Sequence, residues 1–206
     1  DTSDAVYWDV KDKGSIVYDD TFDLADPAAQ VHLLQACEEW KASPCSVAEC
    51  GGDMMRNGEI KCFMKGFETY LMSEHSQQLP IDDRNEFLSK LLEYGKREVT
   101  RTTFPDQIGF SPDPECDSKF KGCVTDPDTN EVQALKYVLV VFNMTLGPVQ
   151  SAKVHNPIIE ELDSFNNNLN NRGPESLNKC FFSSYGFVWS ATQTALVENM
   201  KTGMGL

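Results

Sequence analysis

The sequence lacks any apolar run of the length that a membrane-spanning helix needs. Its most apolar stretch, Tyr137–Phe142, is only as long as a strand, whereas a helix that crosses a bilayer takes about 20 apolar residues. Hydrophobic residues make up 40% of the 206 residues and charged residues 24%, which is typical of folded domains. We therefore expect a single domain, residues 1–206, with no membrane span of its own.

Basic residues are scarce. The chain has 18 lysines and arginines against 32 aspartates and glutamates, which gives a formal net charge of −14. Proteins that bind nucleic acid or anionic lipid surfaces use clustered positive charge to offset the phosphates. The composition therefore argues against nucleic acid as a partner.

The beginning of the chain lacks a secretory signal peptide. Residues Asp1–Asp4 are polar and acidic, without the apolar segment that such a signal requires. A start of this kind is expected of a mature or excised fragment.

The cysteines lack the spacing of a zinc site. They contain no C-x₂-C pair, and the three histidines are scattered along the chain. Disulfides in an oxidising compartment are therefore favoured over bound metal. The seven cysteines are Cys37, Cys45, Cys50, Cys62, Cys116, Cys123 and Cys180.

The triplet Asn143–Met144–Thr145 is an acceptor sequence for N-linked glycosylation. Such triplets also arise by chance, and one inside a strand can remain unmodified. Together with the cysteines, it favours the secretory route and an extracellular or luminal location.

Motifs of nucleophilic and phosphate-binding enzymes are absent. The sequence contains neither G-x-S-x-G nor a complete phosphate-binding loop. Cys37 follows His32 by five residues, which places the two side chains on different faces of a helix. The pairs Asp82–Asp83 and Glu160–Glu161 are expected at helix beginnings, where the helix dipole favours negative charge. We predict no enzyme activity and no cofactor.

Residues 126–130 resemble the first half of a calcium-binding loop. Glu131 stands where that loop needs glycine, and Tyr137 stands where it needs glutamate. We predict a polar turn here and no metal site. A second acidic set consists of Asp19, Asp20, Asp23 and Asp26. We interpret it as a solvated loop that also caps a helix.

The periodicity of hydrophobic residues, together with the prolines and glycines that interrupt helices and strands, predicts the order of the secondary-structure elements. Asp26 and Asp83 are expected to cap helices, and Pro27 suits the first helical position. The run Val138–Val141 suits a strand that is buried on both faces. Strands are predicted at 5–10, 15–18, 132–144 and 181–189; helices from 27, 63 and 83, from about 148 to 170, and at 191–200 after a cap at Ser190; and loops at 43–61 and 102–130.

This order predicts an α+β fold. Strand–helix–strand pieces on either side of a helical insertion suit a ferredoxin-like split βαβ sandwich. The expected parts are the first strand and helix (1–42), a disulfide-braced helical and loop insertion (43–131), a strand–helix–strand unit (132–189) and a C-terminal linker helix (190–206).

Both ends of the chain resemble a known family. The stretches Tyr7–Val10, Gly14–Asp19 and Asp26–Gln30, with Phe181–Trp189 and Gly203–Leu206, are similar to extracellular loop domains of resistance–nodulation–division (RND) membrane proteins, especially the Dispatched branch of the Patched, Dispatched and Niemann–Pick C1 group. Cys37, Cys62 and the strand that ends at Asn143–Thr145 also resemble this domain.

The resemblance implies a porter-like domain of a larger membrane protein that moves or releases lipids, sterols or lipid-modified ligands. Its partners would be a sister loop domain and transmembrane helices of the same polypeptide, with a lipid or sterol as possible ligand. The helix Ser190–Met200 would act as a hinge toward a membrane span.

The resemblance also suggests a pairing of the cysteines. A Cys37–Cys62 bond would tie the first helix to the second and contribute roughly 3 kcal/mol. Cys45–Cys50 and Cys116–Cys123 would then close small loops and leave Cys180 unpaired, but the resemblance does not extend to these two pairs, and seven cysteines allow about a hundred arrangements of three bonds.

A second function fits the same composition. An acidic surface, disulfides and a glycan also suit a secreted or cell-surface module for adhesion or ligand binding.

Overall fold

We describe the chain from a computed structural model, which covers residues 18–45, 47–48, 52–116, 122–145, 151–184 and 190–197. The α+β class is confirmed, because helices occur together with two small antiparallel sheets. The predicted strand at 5–10 lies outside the described residues, as does 15–18 apart from Tyr18.

The longest elements of the described residues are α-helices. The α-helices are α1 (Pro27–Lys41), α2 (Phe63–His75), α3 (Arg84–Lys96), α4 (Glu98–Thr103) and α5 (Ala152–Arg172). A short 3₁₀ helix spans Glu175–Leu177, and residues 190–197 form a C-terminal helical segment. The predicted helices from 27, 63 and 83 and through about 170 are therefore confirmed.

The two predicted aspartate caps are confirmed at the beginnings of α1 and α3. Asp26 accepts a hydrogen bond from the amide of Ala28 at 3.0 Å, and Pro27 occupies the first turn of α1. Asp83 accepts from the amide of Glu86 at 2.8 Å. These carboxylates satisfy backbone donors that a helix leaves unpaired at its start.

Five strands form the two sheets. They are β1 (Met55–Lys61), β2 (Ile108–Pro112), β3 (Cys123–Thr125), β4 (Val132–Val138) and β5 (Val141–Met144). β1 pairs with β5, and β4 lies between β2 and β3. Every strand pair is antiparallel.

The predictions of loops at 43–61 and 102–130 were wrong in part. β1 lies in the first segment, and β2 and β3 lie in the second, whose first two residues also belong to α4. β1 is mostly polar and β2 ends at Pro112, so neither carries a strong local strand signal. Both form because β5 and β4, which are distant in sequence, supply their hydrogen-bonding partners.

The predicted strand 132–144 is divided between the two sheets at residues 139–140. The amide of Leu139 donates to the carbonyl of Gln107 at 2.8 Å, so the chain stays extended against the end of β2. The prediction that Val138–Val141 is buried on both faces was wrong, since Leu139 is 45% exposed and Val141 43%. The segment buried on both faces is 133–135, in the middle of the three-stranded sheet.

The predicted last strand, 181–189, is wrong for its first four residues. Residues 181–184 are not in a strand, and 185–189 lie outside the described residues. The side chain of Phe181 is 82% exposed. Its neighbour Phe182 packs instead on Trp40 and Phe142, with ring centroids 6.0 and 5.6 Å apart.

The main core lies between α1, α2 and α3. Phe63, Phe67, Phe87 and Leu91 have no exposed surface, and β3 and β4 close one side with Val124 and Leu135. The segment 43–131, expected as an insertion, thus supplies α2 and α3 to the central core. A disulfide between Cys37 and Cys62 joins α1 to the beginning of α2.

Two buried polar contacts fix the loops around this core. The Gln30 side chain has no exposed surface. Its Oε1 accepts a hydrogen bond from the amide of Ile81 at 2.8 Å, and its Nε2 donates to the carbonyl of the same residue at 2.9 Å. Asp23 accepts two hydrogen bonds from the Arg84 guanidinium, at 2.6 and 2.7 Å. The Asp23 amide donates to the carbonyl of Ser176, so one residue links three segments.

The C-terminal end of α5 is held against α1. Arg172 makes a two-point ion pair with Glu39, at 3.2 and 2.6 Å. A side-chain carbon at Gly173 would lie 2.9 Å from Nε2 of His32, so glycine permits this close approach.

Replacing Cys37 and Cys62 together by serine is expected to lower the free energy of unfolding by about 3 kcal/mol. The bond spans 25 residues. Without it, the unfolded chain has more conformational entropy and is therefore more stable relative to the folded protein. The Cys116–Cys123 bond spans only seven residues, so the matched double serine variant is expected to lose about 2 kcal/mol. Urea denaturation measures both losses. A larger loss for the shorter loop would contradict this prediction.

Substituting His32→Gln is expected to flatten the pH dependence of stability between about pH 7 and pH 5. Burial, and next the charge of Arg172, lower the pKa of His32 below its usual 6.5, so the folded protein favours the neutral ring. As pH falls through 6.5, the unfolded chain takes up more protons and the native protein loses stability, with a slope of at most about one proton. Thermal melts at several pH values test this, and parallel curves for the two proteins would rule it out.

Candidate functional site

The residues that the structure describes hold neither a cluster of metal ligands nor a membrane-spanning helix. Within that part of the chain, no group of three or more His, Cys, Asp or Glu side chains converges as metal ligands do. None of the described helices combines the length and apolarity needed to cross a membrane.

The calcium-like turn is closed by a lysine. Lys96 Nζ lies 2.5 Å from Asp126 Oδ1 and 2.7 Å from Asp128 Oδ2. The hydrogen bond from Lys96 is the main cause that lowers the pKa of Asp126, and Asp126 in turn raises the pKa of Lys96. The ammonium therefore occupies the position between these carboxylates, as expected of a structural turn.

The acidic set near α1 is also engaged in structural contacts. Asp19 accepts from Lys179 at 2.8 Å, and Asp23 is paired with Arg84. Asp26 caps α1 and accepts from the Ser176 hydroxyl at 2.6 Å. Asp23 is 2% exposed, so the interpretation of this set as a solvated loop was wrong for that residue.

The two carboxylate pairs have different positions. Asp82–Asp83 stands at the start of α3, as predicted. Glu160–Glu161 was placed at a helix beginning, but α5 starts at Ala152, so this pair lies in its third turn. Pro157 lies inside α5 rather than at its start, so the pair does not occupy the first turn that a proline would have marked.

A titratable cluster that sequence reasoning missed surrounds Tyr70. His75 Nε2 lies 2.8 Å from the phenol oxygen, and the Arg97 guanidinium lies 4.9 Å from the ring centre. Burial first, and a hydrogen bond with Glu93 next, raise the pKa of Tyr70 well above its usual value. The phenol stays protonated at neutral pH and serves as a packed hydrogen-bonding group between α2 and α3.

The cysteines are paired as the sequence analysis expected, where both partners are described. The disulfides are Cys37–Cys62 and Cys116–Cys123, with Cα atoms 6.1 and 6.0 Å apart. Cys45 also forms a disulfide, and its expected partner Cys50 lies outside the described residues.

Cys180 carries the free thiol among the described cysteines. Its backbone is held by two asparagines of α5: its amide donates to Asn170 at 3.0 Å, and its carbonyl accepts from Asn166 at 2.6 Å. Burial raises the pKa of the thiol. These contacts fix the segment after the 3₁₀ helix along α5.

The glycosylation triplet lies at the end of β5. The Asn143 side chain is exposed, and its Nδ2 donates to Glu59 Oε2 at 3.1 Å across the β1–β5 pair. Thr145 is anchored by its hydroxyl, which donates to the carbonyl of Asp53 at 2.8 Å, and by its amide, which donates to Met54. The acceptor nitrogen therefore faces solvent on a well-anchored strand.

The C-terminal helical segment 190–197 is attached to the first turns of α5 by polar contacts. The amide of Ala152 donates to Gln193 Oε1 at 2.8 Å. Ser190 was predicted as a cap, but it lies within the helical segment and its hydroxyl donates to Asn156 at 2.6 Å. Leu196 and Val197 remain 58% and 50% exposed, and they line a cleft of about 550 Å³ beside Lys153.

Comparisons with protein-family models, with curated proteins and with solved structures found no match for this chain. The candidate sites are therefore interpreted from their own geometry.

Thiol titration of the unfolded, unreduced chain is expected to find one free thiol, that of Cys180. In the native protein, a thiol reagent should react at least about tenfold more slowly, because burial disfavours the thiolate and limits access. Cys180→Ser should abolish the signal. Rapid native reaction, or several free thiols, would contradict both the burial and the oxidised state.

Proposed function

We propose that this chain is an extracytoplasmic domain of an RND-type, Dispatched- or Patched-like membrane protein. The larger protein would transport or release lipids, sterols or lipid-modified ligands. In this role the domain binds and transmits motion but performs no chemistry, and it needs no cofactor. Its location would be the extracellular or luminal face of a membrane.

The oxidised state of the cysteines supports an extracytoplasmic location. Two disulfides join described residues, and Cys45 belongs to a further one. Such bonds persist in secretory and extracellular compartments and are rare in the cytosol. An exposed acceptor at Asn143 fits the same route.

The observation that carries the proposal is the attachment of the C-terminal helical segment to α5. Its contacts through Ser190 and Gln193 are hydrogen bonds to α5, whereas Leu196 and Val197 stay exposed beside a cleft. Polar contacts can be exchanged for water at little net cost, so such a helix is suited to shift on its neighbour. This is the behaviour required of a hinge toward a membrane span.

The proposal includes a finer fold and a set of partners. We propose that the described α+β structure belongs to a ferredoxin-like, porter-like sandwich that packs beside a sister loop domain of the same polypeptide. A lipid or sterol ligand would enter between the two domains.

The proposal predicts that the complete gene product has hydrophobic spans directly before Asp1 and directly after Leu206. Sequencing the full transcript tests this first. The full-length protein, made in microsomes, should then yield a protease-resistant fragment containing residues 1–206 that becomes sensitive when detergent opens the membrane. Residues on the luminal side are shielded by the bilayer, which is the reason for the protection.

A control and an alternative outcome complete this experiment. A cytosolic loop of the same product should be digested without detergent. A reading frame that ends after Leu206, or a protein released into the medium without membrane attachment, would contradict the proposal. That result would favour the secreted adhesion or ligand-binding module instead.

A further inference from the structure

The segment from Tyr137 to Asn143 has two sharply different faces. Even-numbered residues point inward: Val138 and Val140 pack on the main core, and Phe142 packs on the smaller clusters near α5. The odd-numbered residues point outward, because successive side chains of an extended chain alternate between faces. The alternation continues through the break between β4 and β5.

The outward face is an apolar strip. Tyr137 is 39% exposed, Leu139 45% and Val141 43%. We call these three residues the outer strip. It ends at the exposed Asn143, six residues and about 20 Å from Tyr137. Exposed apolar residues in a row of this kind usually mark a surface that something covers.

Polar residues of β1 border the outer strip on one side. Lys61 is paired directly with Val141, and Glu59 accepts the hydrogen bond from Asn143. Both side chains are exposed. The strip is therefore narrow, bordered by charges, and continuous with the glycosylation acceptor on one face.

We propose that the N-linked sugar chain on Asn143 lies along the outer strip and covers Val141 and Leu139. This inference rests on the extracytoplasmic location argued above. In the transfer, Asn143 Nδ2 loses a proton and bonds the anomeric carbon of a lipid-diphosphate-linked oligosaccharide, and the lipid diphosphate leaves. The modified nitrogen keeps one N–H, so its hydrogen bond to Glu59 can persist and direct the sugar along the face.

A sugar chain fits this surface better than a protein partner. Pyranose rings present C–H faces to apolar side chains and hydroxyls to water, which matches a narrow strip bordered by Lys61 and Glu59. A protein that packed flat on the strip would have to bury both charges and exclude the glycan at Asn143. The sister domain would then pack on another surface of this domain, and the face of the β1–β5 sheet would point to solvent.

Hydroxyl-radical footprinting of the secreted 206-residue chain tests the proposal. Protein from a glycosylating cell is compared before and after enzymatic removal of the glycan, with side-chain oxidation measured by mass spectrometry. Removal is expected to raise oxidation of the outer strip by roughly threefold, the change expected if most of its exposure is covered. Exposed apolar residues outside the strip, Met72 and Leu196, serve as internal controls and should not change.

Two variants separate the possible outcomes. The strip of Asn143→Gln should oxidise as in the deglycosylated protein. Thr145→Ser keeps the acceptor sequence, so its strip should oxidise as in the glycosylated protein of the original sequence. Equal oxidation of the strip with and without an attached glycan would overturn the proposal while leaving the extracytoplasmic location intact. A secreted chain with no sugar on Asn143 would overturn it as well.

Discussion

The cross-link between Cys37 and Cys62 is the constraint on which the other features depend. It fixes the beginning of α2 against α1, so the chain between Cys37 and Cys62 forms one covalently closed loop. β1 is the returning part of that loop, and it finds its partner in β5. The pairing turns Phe142 inward and Asn143 outward. The disulfide thus anchors the chain directly after β1, the strand on which β5 and its acceptor Asn143 are paired.

Helices were predictable from the sequence because their signals are local. Asp26, Pro27 and Asp83 act within one turn of where they stand, and the apolar stripe of α3 follows from spacing alone. β1 and β2 were missed because their stability depends on partners that are distant in sequence, from Pro112 with Gln133 to Met55 with Met144, and their own sequences are polar or end in proline. The run Val138–Val141 was misjudged for a related reason. A β-branched segment indicates a strand but does not say whether its second face is covered.

The candidate sites also differ in whether their signals are local in the sequence or depend on distant residues. The acceptor triplet could be anticipated from its motif. Seven cysteines allow about a hundred arrangements of three bonds, so of the two described disulfides only Cys37–Cys62 had an argument behind it. The closing of the calcium-like turn by Lys96 could not be anticipated, because 30 residues separate the lysine from Asp126 and only the packing of α3 against β3 brings them together. The Tyr70 cluster was missed because Arg97 reaches its ring from the end of another helix.

α5 connects the two regions that the proposed function requires to communicate. Its 21 residues span about 31 Å, from the bonds with the C-terminal segment at Ala152 to the ion pair of Arg172 with Glu39 on α1. The contacts at the first end are single hydrogen bonds, whereas the second end combines a two-point ion pair with the close approach of Gly173 to His32. Pro157 removes one backbone hydrogen bond near the first end. Ile158 and Leu162, which follow Pro157, pack in a buried cluster with Cys45 and Met54. If the C-terminal segment moves as the proposed function requires, bending of α5 would therefore be confined to the residues before Ile158, and the disulfide-braced core would stay in place.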